Sequence, residues 1–157
     1  MINLLLFYYR ARDGSEKEKF MQHFMVTAYN YQRPFDNPEI ALSCCDNLIK
    51  CHEMKRVRIH AFCLMPNHLH LCMEKGDDDP EHFLGRWKSF VTHESWKYGW
   101  SGKLWCDRHM AKKVNSPTAT EIVISYVLFN PQKAKLVKLW KEWPYWAEPV
   151  FGKKGWK

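Results

Sequence analysis

The chain has 157 residues, enough for one domain with a buried core, and its 24 Lys and Arg outnumber 17 Asp and Glu, a net charge of +7. That surplus favours a polyanionic partner, although a merely basic soluble protein fits the charge nearly as well. The apolar opening, Met1–Tyr9, is too short to cross a membrane and lacks the basic start of a signal peptide, and the six cysteines form no C-x-x-C pair. We therefore expect one cytoplasmic domain over residues 1–157, with no membrane contact and with a basic, Trp-rich segment from about residue 131.

The first half of the chain predicts a strand, a helix and a hairpin. Residues 20–29 are rich in aromatic, β-branched and methionine side chains, which is typical of a strand. Asn37 followed by Pro38 predicts a helix N-terminus, and apolar residues at helical spacing follow it. The segments 57–64 and 68–73 then predict two paired strands separated by a turn.

The second half of the chain predicts a further helix, short extended segments and a last helix. Asp79 is the expected N-cap of the second helix, and residues 103–105 and 110–114 are expected to be extended. The resulting order is strand, helix, two strands, helix, strand and one more helix. This order predicts an α+β fold of the ferredoxin-like (split βαβ) type, in which an antiparallel sheet is backed by helices.

The bounds of the last helix follow from three residues. Thr118 and Glu121 have the spacing of a capping box, which predicts the N-terminus there. Pro131 disfavours the helical conformation of the residue before it, so the helix is expected to end near Asn130. Tyr126 and Asn130 then lie one turn apart on the same face. From the pattern alone, Tyr126 fits an amphipathic core residue and Asn130 a C-terminal cap, so their roles stay open.

Two histidines lie one residue apart in the second strand of the hairpin. Because side chains alternate along a strand, His68 and His70 project from the same face. Neutral imidazole is the commonest protein metal ligand, so the pair fits half of a metal site as well as it fits two hydrogen-bonded structural residues. Leu69, Leu71 and Met73 point the other way and are expected to pack on the helices. The histidine face is then expected to be the open, functional side of the sheet.

The histidine segment (residues 65–70) and the tyrosine segment (residues 126–134) together resemble the REP-associated tyrosine transposases. This is a single-tyrosine family of the HUH transposase-like type. Two further stretches are similar to the family, and the resemblance covers roughly residues 20–150. Three positions depart from the family pattern, namely Cys106 for Gln, His109 for Phe and Lys135 for Gly. The four stretches that carry the resemblance are Met65-Pro66-Asn67-His68-Leu69-His70, Tyr126-Val127-Leu128-Phe129-Asn130-Pro131-Gln132-Lys133-Ala134, Leu104–His109 and Phe24–Thr27.

The resemblance implies an HUH endonuclease that nicks single-stranded or hairpin DNA and transfers the cut strand. It implies that His68, His70 and Asn130 bind a divalent metal, Mg²⁺ or Mn²⁺, of which Mn²⁺ is the better match to nitrogen ligands. Tyr126 would be the nucleophile, and its attack would leave a covalent 5′-phosphotyrosine and a free 3′-OH. The relatives act as monomers or homodimers, so either state is expected here.

Basic side chains near the predicted sheet are candidates for contacts with the DNA backbone, and binding should then depend strongly on salt. Two alternatives to the nicking enzyme remain open. One is a catalytically silent protein of the same fold that binds hairpin or single-stranded DNA. The other is a metallohydrolase that activates water at the two histidines, which no Asp or further His at a suitable spacing supports. The candidate DNA contacts are Arg56, Arg58, Arg86, Lys88, Lys112 and Lys113.

Overall fold

A six-stranded antiparallel sheet forms the centre of the computed structural model, which describes residues 21–157. The strand order is β4-β1-β3-β2-β5-β6. Its first four strands follow the 4-1-3-2 order of a split βαβ sheet, so the predicted ferredoxin-like fold is confirmed. The strands are β1 (Met21–Thr27), β2 (Val57–Met65), β3 (His68–Lys75), β4 (Met110–Val114), β5 (Trp146–Glu148) and β6 (Lys153–Lys154).

Three helices pack on this sheet: α1 (Pro38–Glu53), α2 (Pro80–Trp96) and α3 (Pro117–Lys133). The predicted N-caps of α1 and α2 are confirmed. Asn37 Oδ1 accepts the backbone N–H of Glu39 at 2.9 Å, and Asp79 Oδ2 accepts that of His82 at 3.2 Å. No helix among residues 21–157 has the length and apolar character needed to cross a membrane.

Helices cover both faces of the sheet. Leu69, Leu71 and Met73 are buried in one core together with apolar residues of α1 and α2, as predicted. Cys72, on the opposite face of β3, is buried in a second core with apolar residues of α3, among them Val127. The expectation that the histidine face is open is therefore wrong. Apolar residues lie on several sides of α3, and some of them, such as Ile122 and Phe129, are exposed. The sequence therefore did not reveal which side of the helix packs on the sheet.

Both predicted ends of α3 are wrong. Ser116, with Pro117 in the first helical position, is the N-cap, because its Oγ accepts the backbone N–H of Ala119 at 3.1 Å. Thr118 lies inside the helix and forms no capping box. The helix also continues through Pro131 to Lys133. A proline removes a hydrogen bond and disfavours the helical conformation of the residue before it, but here the helix continues for two residues beyond it.

The helix α3 ends in a Schellman motif. Leu136 N–H donates to the carbonyl of Pro131 at 3.0 Å, and Lys135 N–H donates to that of Gln132 at 3.0 Å. Lys135 occupies the left-handed position of this motif, with φ 62°, where glycine is the usual residue. The lysine that departs from the family pattern therefore has a conformation that glycine adopts without strain.

The chain after α3 adds to the sheet, which the sequence analysis did not predict. In β5, Trp146 and Ala147 pair with Cys63 and Phe62 of β2. Trp143 Nε1 donates to the carbonyl of Leu64 at 3.0 Å. Part of the basic, Trp-rich segment is thus bound to the edge of the sheet.

Candidate active site

Three histidines from β1 and β3 meet on the face of the sheet that α3 covers. His68 and His70 project from the same face of β3, and their ring centroids are 4.9 Å apart with an angle of 80° between the rings. The antiparallel register of β1 and β3 places His23 beside this pair, opposite Cys72. His23 Nε2 lies 3.0 Å from His70 Nδ1. His70 is 2% exposed, so solvent does not compete for this hydrogen bond.

Both histidines of β3 have Nδ1 engaged. His68 Nδ1 lies 2.8 Å from Asn67 Oδ1, which accepts a hydrogen bond when Nδ1 carries the proton. His70 Nδ1 is engaged by His23. The nitrogen that remains for a ligand on each ring is Nε2. Metal-binding histidines commonly have this arrangement, in which the other ring nitrogen donates to an outer partner.

Helix α3 places Tyr126 against the same histidines. Its ring centroid is 5.7 Å from that of His70 and 6.3 Å from that of His23, with the rings nearly perpendicular in both pairs. Tyr126 is 48% exposed, so a large substrate can reach it. Lys133, two turns along α3, has Nζ 5.6 Å from the centroid of the Tyr126 ring.

Asn130 lies one turn beyond Tyr126. Its Nδ2 is buried, and among residues 21–157 it has no hydrogen-bond partner. A half-turn of the amide exchanges Nδ2 and Oδ1, so the same buried position can be taken by an oxygen, a ligand atom that suits Mg²⁺ and Mn²⁺. A buried amide nitrogen without a hydrogen-bond partner is compatible with a ligand at this position.

Burial keeps the site histidines neutral. It lowers the pKa of His70 to about 3, with smaller contributions in the same direction from His68 and His23. The pKa of His68 is lowered by burial, and that of His23 is lowered by burial and by the charge of Lys112. At neutral pH the three imidazoles therefore carry lone pairs and are able to bind a metal or accept a hydrogen bond.

The comparisons with known proteins decide the family. The family model of IS200-like transposases matches residues 16–129, most of the chain. The chain belongs to this family. Its fold is similar to that of a REP-associated tyrosine transposase solved with a REP hairpin, with a TM-score of 0.66 and 21% identity over 81% of this chain and 75% of that one. No curated protein matches the sequence.

The resemblance seen in the sequence is thereby confirmed, and the protein is a transposase-type DNA-processing enzyme. The family typically uses a divalent metal. Within residues 21–157 of this IS200-like transposase, no three His, Cys, Asp or Glu side chains are grouped so as to hold a metal ion. The candidate set differs from such a group because it consists of two imidazoles and one amide. Two imidazole nitrogens and one amide oxygen are donor types that suit Mn²⁺ or Mg²⁺.

Two residues of the candidate site, His23 and Lys133, were not predicted from the sequence. His23 shares a face with Met21, Met25 and Thr27 by the period of two, but only the register of β1 against β3 shows that this is the histidine face. Lys133 lies at i+7 from Tyr126, a spacing that returns to the same side of a helix after two turns. That signal was present in the sequence and depended on α3 extending past Pro131.

The six predicted DNA contacts are spread over the molecule. Lys112 lies opposite His23 on the edge strand β4, and its charge acts on that histidine. Arg56 and Arg86 both lie near the carboxylate of Asp78, at 3.8 and 3.6 Å, beyond the far end of β3. At about 3.4 Å per residue, the end of β3 at Lys75 is roughly 24 Å from His68.

The other three candidates lie on β2, β4 and α2. Arg58 lies opposite Glu74 in the sheet, and Lys113 lies opposite Gln22. Lys88 Nζ donates to the carbonyl of Cys106 at 2.9 Å. Of the six, Lys112 is the one beside the histidines, and all six stay predictions as DNA contacts.

Proposed function

We propose that this IS200-like transposase nicks single-stranded DNA by direct attack of Tyr126 and later transfers the cut strand. The bond between Tyr126 Oη and phosphorus forms while the bond between phosphorus and O3′ breaks. The product is a 5′-phosphotyrosine on the protein and a free 3′-OH on the DNA. The phenol loses one proton and the leaving O3′ gains one, so the step needs no co-reactant. Attack by a 3′-OH on the same phosphorus reverses it and joins strands.

One observation carries this proposal: the partly exposed Tyr126 stands edge-on against the buried His70. A tyrosine in a purely structural role gains most from full burial of its ring, whereas this ring is about half in solvent. Its neighbours include two neutral imidazoles and an ammonium group. The arrangement suits a hydroxyl that has to reach a phosphodiester.

We propose that His68 and His70, through Nε2, and Asn130, through its amide oxygen, hold a divalent cation, Mg²⁺ or Mn²⁺. When bound, such a cation neutralises the anionic phosphate oxygens and orients the phosphate for in-line attack. Lys133 places a positive charge next to the nucleophile, where negative charge develops during the transfer.

In this scheme His23 is a positioning residue. For His70 to offer Nε2 to a metal, its Nδ1 has to carry the proton and donate it to His23 Nε2. The opposite tautomer would place a proton on His70 Nε2 and block it. In the tautomer of His23 that carries its own proton on Nδ1, Nε2 accepts this hydrogen bond, stabilises the metal-binding tautomer of His70 and holds the His70 ring in place.

The proposed substrate is a single-stranded segment next to a hairpin. The net charge of +7 and Lys112 beside the site supply attraction for phosphates, which should weaken steeply with salt. The similar solved transposase was bound to a REP hairpin, which supports a hairpin partner for this chain.

The proposal is tested by incubating the protein with end-labelled hairpin oligonucleotides that have single-stranded flanks, in the presence of Mn²⁺. We expect a labelled adduct that survives denaturing electrophoresis and is absent in Tyr126→Phe. Tyr98→Phe, which alters another partly exposed tyrosine, is the matched control and should keep the adduct. Cleavage that persists in Tyr126→Phe would indicate a water nucleophile. Binding without cleavage, with Mn²⁺ or with Mg²⁺ in its place, would indicate a silent DNA-binding protein.

A further inference from the structure

The turn after β1 is fixed against the turn that precedes His68. Ala28 N–H donates to the carbonyl of Asn67 at 2.8 Å, and Phe35 N–H donates to that of Pro66 at 3.2 Å. Phe35 is buried in the first core. Between these two anchors the five residues Tyr29–Arg33 are all exposed. The fold thus holds a short, solvent-exposed tip next to the histidine segment.

The backbone of this tip is strained. Asn30 and Tyr31 both have left-handed backbone conformations, with φ of 56° and 57°. Asparagine tolerates this conformation, but a tyrosine does so only at a cost. Tyr31 is 87% exposed, so packing of its ring does not offset that cost. Residues held in this way cluster at functional sites.

A cavity of about 480 Å³ opens between the tip and the segment Cys106–Arg108. Its volume is in the range of pockets for small molecules. Cys106 N–H donates to the carbonyl of Thr27 at 2.9 Å, which fixes the second wall to the end of β1. Thr27 lines the cavity and lies directly opposite His68 in the sheet. One residue of the cavity lining is therefore the cross-strand neighbour of His68, a proposed metal ligand.

The lining combines aromatic rings with positive charge. Tyr29, Tyr31 and Arg108 all border the cavity. Lys103 Nζ lies 5.3 Å from the centroid of the Tyr29 ring and also binds both carboxylate oxygens of Asp107, at 2.9 and 3.1 Å. The charge of Asp107, the one acidic residue of the lining, is thus balanced by Lys103, so it does not repel an anionic ligand.

We propose that this cavity binds one unpaired nucleotide of the DNA strand that Tyr126 cuts, with its base stacked on Tyr31 and its phosphate near Arg108. The inference rests on the proposed function, because it places the nucleotide next to the scissile phosphate. Aromatic rings bind bases through their π-faces, and guanidinium groups suit phosphates. An exposed ring on a tip whose two ends are hydrogen-bonded to Pro66 and Asn67 positions the strand without taking part in the chemistry.

The test measures binding of fluorescein-labelled single-stranded 12-mers by anisotropy in EDTA, so that no cleavage occurs. Each 12-mer carries one abasic site, and the site is moved along the strand. With the wild-type protein, we expect one abasic position to weaken binding about 5- to 150-fold, the range that corresponds to loss of one stacked base. Tyr31→Ala should weaken the intact 12-mer by a similar factor and should then be insensitive to that abasic position. Tyr31→Phe, which keeps the ring, should bind within about twofold of wild type.

Two further variants make the result decisive. Tyr31→Gly should weaken binding as Tyr31→Ala does, and it folds without strain because glycine adopts positive φ freely. Phe90→Ala removes another exposed ring, on α2, and should leave binding unchanged. Unchanged binding in Tyr31→Ala and Tyr31→Gly would overturn the nucleotide pocket while the adduct at Tyr126 stands. Tyr31-dependent binding without any wild-type adduct would instead refute the nicking activity and leave the pocket in place.

Discussion

Replacing His23 by phenylalanine tests how the site prepares His70 for a metal. The substitution keeps a flat ring of similar size and removes the acceptor that lies 3.0 Å from His70 Nδ1. A buried hydrogen bond of this kind contributes about 1–2 kcal/mol. At about 1.4 kcal/mol per tenfold change in affinity, we expect metal binding to weaken roughly 5- to 30-fold in His23→Phe. This range overlaps the tenfold to hundredfold losses typical of outer partners of metal ligands.

The assay is the electron paramagnetic resonance signal of free Mn²⁺ in a titration of metal-free protein. His23→Gln is the matched variant, because its amide oxygen can accept the same hydrogen bond, and it should bind Mn²⁺ within about threefold of wild type. The ¹⁵N chemical shifts of His70 should show a protonated Nδ1 in the wild type and in His23→Gln. Wild-type affinity in His23→Phe would refute the positioning role. An equal loss in both variants would show that His23 acts through its own ring, for example as a ligand.

Three further predictions concern stability. In metal-free protein the folded pKa of His70 is about 3, below the 6.5 of an exposed histidine, so its contribution to stability is complete above pH 6.5 and is lost as the pH falls. Between pH 7.5 and 5.5 the free energy of unfolding in urea should fall by about 1.4 kcal/mol on account of His70. This part of the fall should be absent in His70→Asn, and an identical pH profile in the variant would contradict the prediction. Lys135→Gly should raise the free energy of unfolding by about 1 kcal/mol, because it relieves the positive φ at the end of α3, and Lys138→Gly should not. Ser116→Ala should lower it by about 1 kcal/mol through loss of the N-cap, whereas Thr118→Ala, where the sequence had suggested the cap, should have a smaller effect in thermal unfolding.

The elements that local chemistry defines were predictable. Asn37 and Asp79 were predictable as N-caps because each comes directly before a proline and a helical pattern. The side-chain oxygen of such a residue accepts a free backbone N–H of the first turn. The alternation of His68 and His70 with leucines gave the face of β3 correctly. The N-terminus of α3 carries the same signature, Ser116 before Pro117, but the capping-box spacing of Thr118 and Glu121 was preferred to it. Its C-terminus was missed because the helix accommodates Pro131 in its last turn.

The features that long-range contacts define were not predictable from one sequence. His23 becomes part of the site through the register of β1 against β3. The cover that α3 provides over the histidine face depends on which side of this helix packs inward, and apolar residues lie on several of its sides. The link between the histidine segment and Tyr126 came from the family resemblance, since the spacing of some fifty residues carries no geometric information.

The central claim is that Tyr126 becomes covalently linked to DNA, and peptide mass spectrometry tests it most directly. The adduct formed with Mn²⁺ is digested with nuclease and protease, and the modified residue is located by fragmentation. We predict a nucleotide linked through its 5′-phosphate to Tyr126 alone. Linkage to another tyrosine, or cleaved DNA with no modified peptide, would contradict it.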